Sequence, residues 1–221
     1  MNALLIQGSP RTKSNTGAIV AFLAAQLEQH RVVVDTFRVS ANGTAPEDLV
    51  GLCRAIAGST SILLAAPLYV DGLPACTQQL LEDLHARRAD GGGVAPLFYG
   101  LAHSGFPEPS QRRPAVRTME LFARAMGWRW QGALGFGGTS PIDGRPLEAA
   151  GAFAARLREC LPLAAGEIAA GQPFSPRTVA AAERPAFPMP LRPMVWLINA
   201  RTRRMARGID IAATPYARTT A

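Results

Sequence analysis

The stretch ALLIQGSPRTKSNT, residues 3–16, predicts a strand, a sharp turn and the start of a helix. The apolar run forms the strand, Gly8 and Pro10 turn the backbone, and the helix begins near Asn15. The first N–H groups of a helix have no partner inside it, so such a turn can cradle a phosphate group. The stretch lacks the Gly-Lys-Ser/Thr ending of a P-loop and the spaced glycines of a dinucleotide turn. It favours a mononucleotide, although an ordinary turn with a helix cap uses the same residue types.

Two further apolar runs end in loops that point to the same place. Residues 61–66, SILLAA, are followed by PLYVDGLP at 67–74, and residues 95–101, APLFYGL, are followed by HSGFPE at 103–108. In an open parallel sheet, ligands bind beyond the carboxyl ends of the strands. We therefore expect the three loops to meet at one edge of a sheet.

Together the three loops resemble those of the flavodoxin-like NAD(P)H-dependent FMN oxidoreductase family, in order and spacing, over residues 2–160. The resemblance implies FMN as cofactor, NAD(P)H as electron donor, and hydride transfer through the flavin to a quinone-like or other small acceptor. It also implies a homodimer. Because the flavin carries the chemistry, no catalytic side chain is expected. The cofactor-binding residues that the resemblance implies are Ser9, Arg11, Ser14, Asn15, Thr16, Pro67, Leu68, Tyr69, Val70, Asp71, Ser104, Gly105 and Phe106.

Two cations and one histidine are expected at or near this site. Arg11 and Lys13 would balance the charge of a phosphate. His30 and His85 are expected at solvated helix ends, whereas His103 falls near the predicted site. An electron carrier of the flavodoxin type and a non-catalytic flavin-binding protein remain as alternatives. Carrier flavodoxins are usually acidic, and this chain, with a net charge of +7, is not.

The order of apolar patterns predicts an α/β fold. Five strands alternate with helices of one buried face, which favours a doubly wound parallel sheet covered on both sides. The strand order 2-1-3-4-5 is implied by the flavodoxin-like resemblance. An arginine-rich face of the fourth helix, with Arg112, Arg113, Arg117 and Arg124, is expected to be solvated. The expected strands are 2–7, 32–37, 61–66, 95–101 and 128–136, and the expected helices are 15–29, one from 46, 73–88, 110–126 and one from 146 interrupted at Pro162.

Composition limits the class of protein. The chain has 221 residues, of which 48% are hydrophobic, enough for one core. The first residues already form a strand and no apolar run reaches membrane-spanning length, so the expected location is the cytoplasm. Cys53, Cys76 and Cys160 lie in apolar helical patterns without Cys-x-x-Cys spacing. We expect them to be buried, and we expect neither an iron–sulfur cluster nor another metal site.

The C-terminal part differs from the rest. Residues 173–193 contain six prolines, and residues 185–221 hold six arginines and one aspartate, or +5 of the net +7. We predict a flavodoxin-like domain at 1–170 and, at 171–221, a proline-rich linker with a basic amphipathic arm. The arm is expected to pack on protein. Peripheral membrane contact is a less favoured alternative, and no nucleic-acid partner is expected.

Overall fold

The computed structural model describes residues 1–70, 72–87, 94–184 and 191–205. Its centre is a five-stranded parallel sheet in the order β2-β1-β3-β4-β5, which confirms the predicted α/β class and strand order. The strands are β1 Asn2–Gln7, β2 Val33–Arg38, β3 Ser61–Pro67, β4 Leu97–His103 and β5 Arg129–Phe136.

The described residues contain seven α-helices: α1 Asn15–Gln29, α2 Pro46–Ala57, α3 Ala75–Ala86, α4 Arg113–Ala125, α5 Ala155–Ala169, α6 Pro176–Glu183 and α7 Leu191–Met205. Alternate strand residues face opposite sides, so that Leu5 and Leu63 contribute to one buried cluster and Leu4 and Ile62 to another. The first cluster lies under α1, α5 and α6, and the second under α2, α3 and α4. Helices on both faces leave the carboxyl ends of the strands as the open edge.

Several expected boundaries are wrong. Strand β4 extends to His103, because its register with β3 continues to the pair Pro67 and His103. Helix α5 begins at Ala155, later than the expected 146, and it passes through Pro162 without interruption. The buried face around Leu161 offsets the single backbone bond that the proline removes. Of the cysteines, Cys160 is buried, whereas Cys53 and Cys76 are only half-buried.

The expectation that residues 173–193 hold no regular structure is wrong for α6. Ser175 caps this helix, since its side chain accepts a hydrogen bond from the N–H of Thr178, and Pro176 takes the first helical position, where no N–H is needed. Phe174 packs on Tyr99 with ring centroids 5.0 Å apart, and Ala182 is fully buried. Pro176 therefore starts a helix instead of preventing one, and α6 packs on the core.

The backbone contacts divide the chain into two compact units, Met1–Ala186 and Phe187–Ala221. Helix α7 lies in the second unit and carries exposed Trp196 together with basic Arg203 and Arg204. Within the described segments, no helix combines the length and the apolar character that crossing a bilayer requires.

Candidate functional site

The three predicted loops meet in one cavity of about 290 Å³ at the carboxyl ends of β1, β3 and β4. A fourth segment, residues 139–144 after β5, closes the cavity. The lining residues are Ser9, Arg11, Lys13, Ser14, Asn15, Thr16, Pro67, Leu68, Tyr69, His103, Ser104, Gly105, Thr139, Ser140, Asp143 and Gly144.

Ten of the thirteen predicted cofactor-binding residues are among these lining residues. Val70 and Phe106 are not, and both are exposed beside the cavity, at 100% and 68%. Val70 has a positive φ of 50°, a strained conformation for a β-branched residue, next to the paired residues Tyr69 and Gly72. Asp71 lies outside the described residues.

The loop between β1 and α1 presents unused hydrogen-bond donors. No backbone N–H group of residues 11–16 donates a hydrogen bond to any described part of the chain. The Ser14 hydroxyl oxygen accepts from the N–H of Gly17 at 3.0 Å and from the Gln7 amide at 3.2 Å, so its own proton remains available. Arg11 and Lys13 are exposed at the mouth of the cavity. This donor set suits a dianionic phosphate.

A buried histidine joins three of the elements around the cavity. The Nε2 atom of His103 lies 2.7 Å from the Thr16 hydroxyl, and Nδ1 lies 3.1 Å from the Thr139 hydroxyl. Thr139 donates its proton to the carbonyl of Ser104 at 3.0 Å, so it must accept from Nδ1–H of His103. Nε2 is then the acceptor, and the proton of the Thr16 hydroxyl points at the histidine.

This network changes what two residues can do. Burial lowers the pKa of His103 from its ordinary 6.5 to about 4, so the ring is neutral at physiological pH. Thr16 is itself fully buried, and its only proton is used by His103. The proton of the Thr16 hydroxyl is thus directed at His103, whereas no described group accepts the hydroxyl protons of Ser9 and Ser14.

The wall at residues 139–144 was not expected from the sequence. The side chain of Asn15 holds it, because its amide donates to the Thr139 carbonyl at 2.7 Å and its oxygen accepts from the N–H of Gly144 at 2.7 Å. Gly144 has a φ of +63°, and a Cβ there would lie 2.9 Å from Lys13 Cγ. The glycine-rich run after β5 was the only sequence signal for this wall.

The 104–108 loop forms the remaining side. The Ser104 hydroxyl donates to the Phe106 carbonyl at 2.8 Å, which folds the loop tightly. A Cβ at Gly105 would collide with the Ser140 hydroxyl, so a larger residue there would force the Ser140 side chain or the loop to move.

The model of the NADPH-dependent FMN reductase family matches residues 1–111, which include the first three loops of the cavity. This chain belongs to that family. It is a family of oxidoreductases, so the chain is an enzyme of that class. Comparison with curated protein sequences gives no significant match.

Solved structures share the fold of this FMN reductase family member. The apo form of the NADH:FMN oxidoreductase EMOB has a TM-score of 0.60 at 15% identity, over 86% of this chain and 97% of that one. A flavone reductase gives 0.58 at 14% identity, over 79% of this chain, which spans only 66% of the length of that protein. The NAD(P)H:quinone oxidoreductase from Methanothermobacter marburgensis gives 0.55 at 15% identity, over 73% of this chain and 94% of that one. At such identities the likeness shows the fold alone.

Proposed function

We propose that this chain binds FMN in the cavity and passes reducing equivalents from NAD(P)H to a quinone-like or other small acceptor. One observation carries the proposal: the three strand-end loops converge on one cavity whose β1–α1 side offers unpaired N–H groups, two open hydroxyls and two cations. The description of the matched family, NADPH-dependent FMN reductase, is the basis for proposing FMN as the cofactor and NAD(P)H as the electron donor.

The phosphate end of the cofactor is assigned to the start of α1. The N–H groups of residues 11–16 and the hydroxyls of Ser9 and Ser14 would donate to the phosphate oxygens, and Arg11 and Lys13 would balance their charge. A single compact site of this kind favours FMN over FAD, because FAD needs a second cradle for its pyrophosphate.

The reacting end is assigned to the loops after β3 and β4. Bound FMN would supply the two-electron chemistry. The chain itself then needs to bind and orient the flavin and the substrates and to exclude water from them. Tyr69 is half-exposed at the cavity and offers an aromatic face, while Ser104 and Gly105 present backbone groups. His103 does not serve as an acid at neutral pH, since it is neutral and both ring nitrogens are engaged.

A structural relative supports the proposed acceptor class, and two exposed side chains support the proposed dimer. The structural relatives include a protein named as an NAD(P)H:quinone oxidoreductase, which is consistent with a quinone-like acceptor. Exposed Val70 and Phe106 stand beside the cavity and support a homodimer whose partner covers them. We keep the cytoplasm as the proposed location and packing on protein as the proposed role of the C-terminal arm.

Cofactor extraction followed by chromatography tests the proposal first. FMN is the expected flavin, whereas FAD, or no flavin uptake on reconstitution, would remove the central claim. The holoprotein should then consume NAD(P)H with a quinone present, and initial-velocity lines should be parallel, because one open cavity admits donor and acceptor in turn. A protein that binds FMN but does not turn over would instead be a carrier or a binding protein.

A further inference from the structure

Arg112 is buried behind the 104–108 loop, although its position in the sequence predicted a solvated side chain. It ends the 3₁₀ turn Pro109–Arg112 that precedes α4, and only 3% of it is exposed. Its Nη1 atom donates to the Ser104 hydroxyl at 3.1 Å and to the Glu108 carbonyl at 3.2 Å. One guanidinium therefore ties together the two ends of a loop that lines the cavity.

Two glycines at the end of β5 make room for this guanidinium. A Cβ at Gly135 would lie 3.0 Å from Arg112 Nε, and a Cβ at Gly137 would lie 2.7 Å from Nη1. Both distances are shorter than ordinary packing allows. The strand end thus leaves room for the guanidinium of Arg112, whose burial away from water costs free energy that its hydrogen bonds to Ser104 and Glu108 offset only in part.

No carboxylate forms an ion pair with Arg112 among the described residues, in contrast to the exposed Arg117 and Arg124, which both pair with Glu120. Burial lowers the pKa of Arg112, and the charges of Glu183 and Glu108 oppose that shift. The Oε2 atom of Glu108 is buried and has no hydrogen-bond partner in the described chain. Glu108 is therefore close enough to act on Arg112 through its charge but does not neutralise it by contact.

A second guanidinium adds to the positive charge. Arg156 donates from Nη2 to the Gly137 carbonyl at 2.5 Å and lies over the Phe136 ring, 5.5 Å from its centroid. Burial lowers its pKa to about 10, with the charge of Arg112 contributing in the same direction. The carboxyl end of β5 is thus contacted by two guanidinium groups, that of the buried Arg112 and that of the half-buried Arg156.

We propose that Arg112 is a positioning residue that favours the reduced over the oxidised cofactor through the 104–108 loop, and that Glu108 moderates this effect. The inference rests on the proposed function, with NAD(P)H as the reductant. Reduction increases the negative charge on the flavin ring system, and a fixed cation in a water-poor setting stabilises such charge without reorganising. A neutral residue at 112 would lose that preference, whereas a neutral residue at 108 would strengthen it.

The test compares the dissociation constants of oxidised and of anaerobically reduced FMN for the full-length protein. In Arg112→Gln, the ratio of the reduced to the oxidised constant should rise by on the order of tenfold. For a two-electron couple this equals a midpoint potential lowered by about 30 mV. Glu108→Gln should shift the ratio in the opposite direction, because it removes a negative charge at nearly constant shape. Arg113→Gln removes the same charge as Arg112→Gln from the exposed neighbouring position and should leave the ratio unchanged.

The outcomes separate the inference from the function on which it rests. If Arg112→Gln weakens both forms of FMN equally, Arg112 only holds the loop, and the inference is overturned. A shift of the same sign in Glu108→Gln also overturns it. Should Arg112→Gln not fold, the sign of the shift in Glu108→Gln decides alone. Failure of the wild type to bind FMN would instead refute the proposed function.

Discussion

The buried His103 makes the free energy of unfolding depend on pH within a defined window. In the folded chain the pKa of this imidazole is about 4, because burial disfavours its charged form. In the unfolded chain it is about 6.5. Between these values the unfolded chain takes up a proton that the folded chain does not. The contribution of neutral His103 to the free energy of unfolding is therefore fully present above about pH 6.5 and is lost as the pH falls toward 4.

The magnitude follows from the gap between the two pKa values. The full loss is about 3 kcal/mol, since each pKa unit corresponds to about 1.4 kcal/mol. Between about pH 7 and about pH 5 the loss is about 2 kcal/mol, because only part of the window has been crossed. This is a large share of the stability of an ordinary domain.

Urea unfolding of wild type and His103→Gln at these two pH values measures the effect. Glutamine cannot titrate, so the variant should lose about 2 kcal/mol less than the wild type between the two conditions, whatever its stability at neutral pH. His30→Gln removes an exposed histidine and serves as the matched control. If wild type and His103→Gln lose the same free energy, the buried neutral histidine is not the cause and the reasoning fails.

Four further predictions concern stability and FMN binding. Gly51→Ala, inside α2 with nothing within 4 Å of the new Cβ, should raise the free energy of unfolding by about 0.5–1 kcal/mol in urea titrations. Gly137→Ala should lower it by about 1–3 kcal/mol or more, since the Cβ would lie 2.7 Å from the Pro107 carbonyl; an unchanged melting temperature would contradict this. Ser9→Ala and Ser14→Ala should each weaken FMN binding by about 1.5–3 kcal/mol in a fluorescence titration, whereas equal affinity would place the phosphate elsewhere. Truncation after Gly171 should lower the melting temperature, because it removes buried Phe174 and Ala182; a fully stable fragment would show that α6 is dispensable.

The local patterns in the sequence predicted the alternation of strands and helices and three of the four sides of the cavity, whereas the strand order came from the family resemblance. Strand β3 and its loop could be predicted because an apolar run and a following turn are short-range signals. The wall at 139–144 could not, since it depends on the side chain of Asn15, which contacts it across 124 residues of chain.

Two other errors have different origins. Arg112 falls on the polar face by helical spacing, yet Gly135 and Gly137 on a different element create the space that buries it. The prolines after residue 171 were counted without regard to position, although Pro176 begins a helix behind the cap Ser175. The burial of Arg112 depends on residues that no local pattern connects to it, whereas the pair Ser175 and Pro176 is a local helix-start signal that the count of prolines overlooked.

The two hydrogen bonds between Asn15 and the 139–144 wall also set when the cavity can first be complete. During synthesis the residues matched by the family model, 1–111, emerge first and carry three of the loops. The wall that Asn15 holds is made only after β5 has left the ribosome, and β5 in turn packs under α6. A nascent chain thus has the turn between β1 and α1 long before it has all four sides of the cavity. On the proposed function, FMN would therefore bind only after the C-terminal half of the sheet domain has been made.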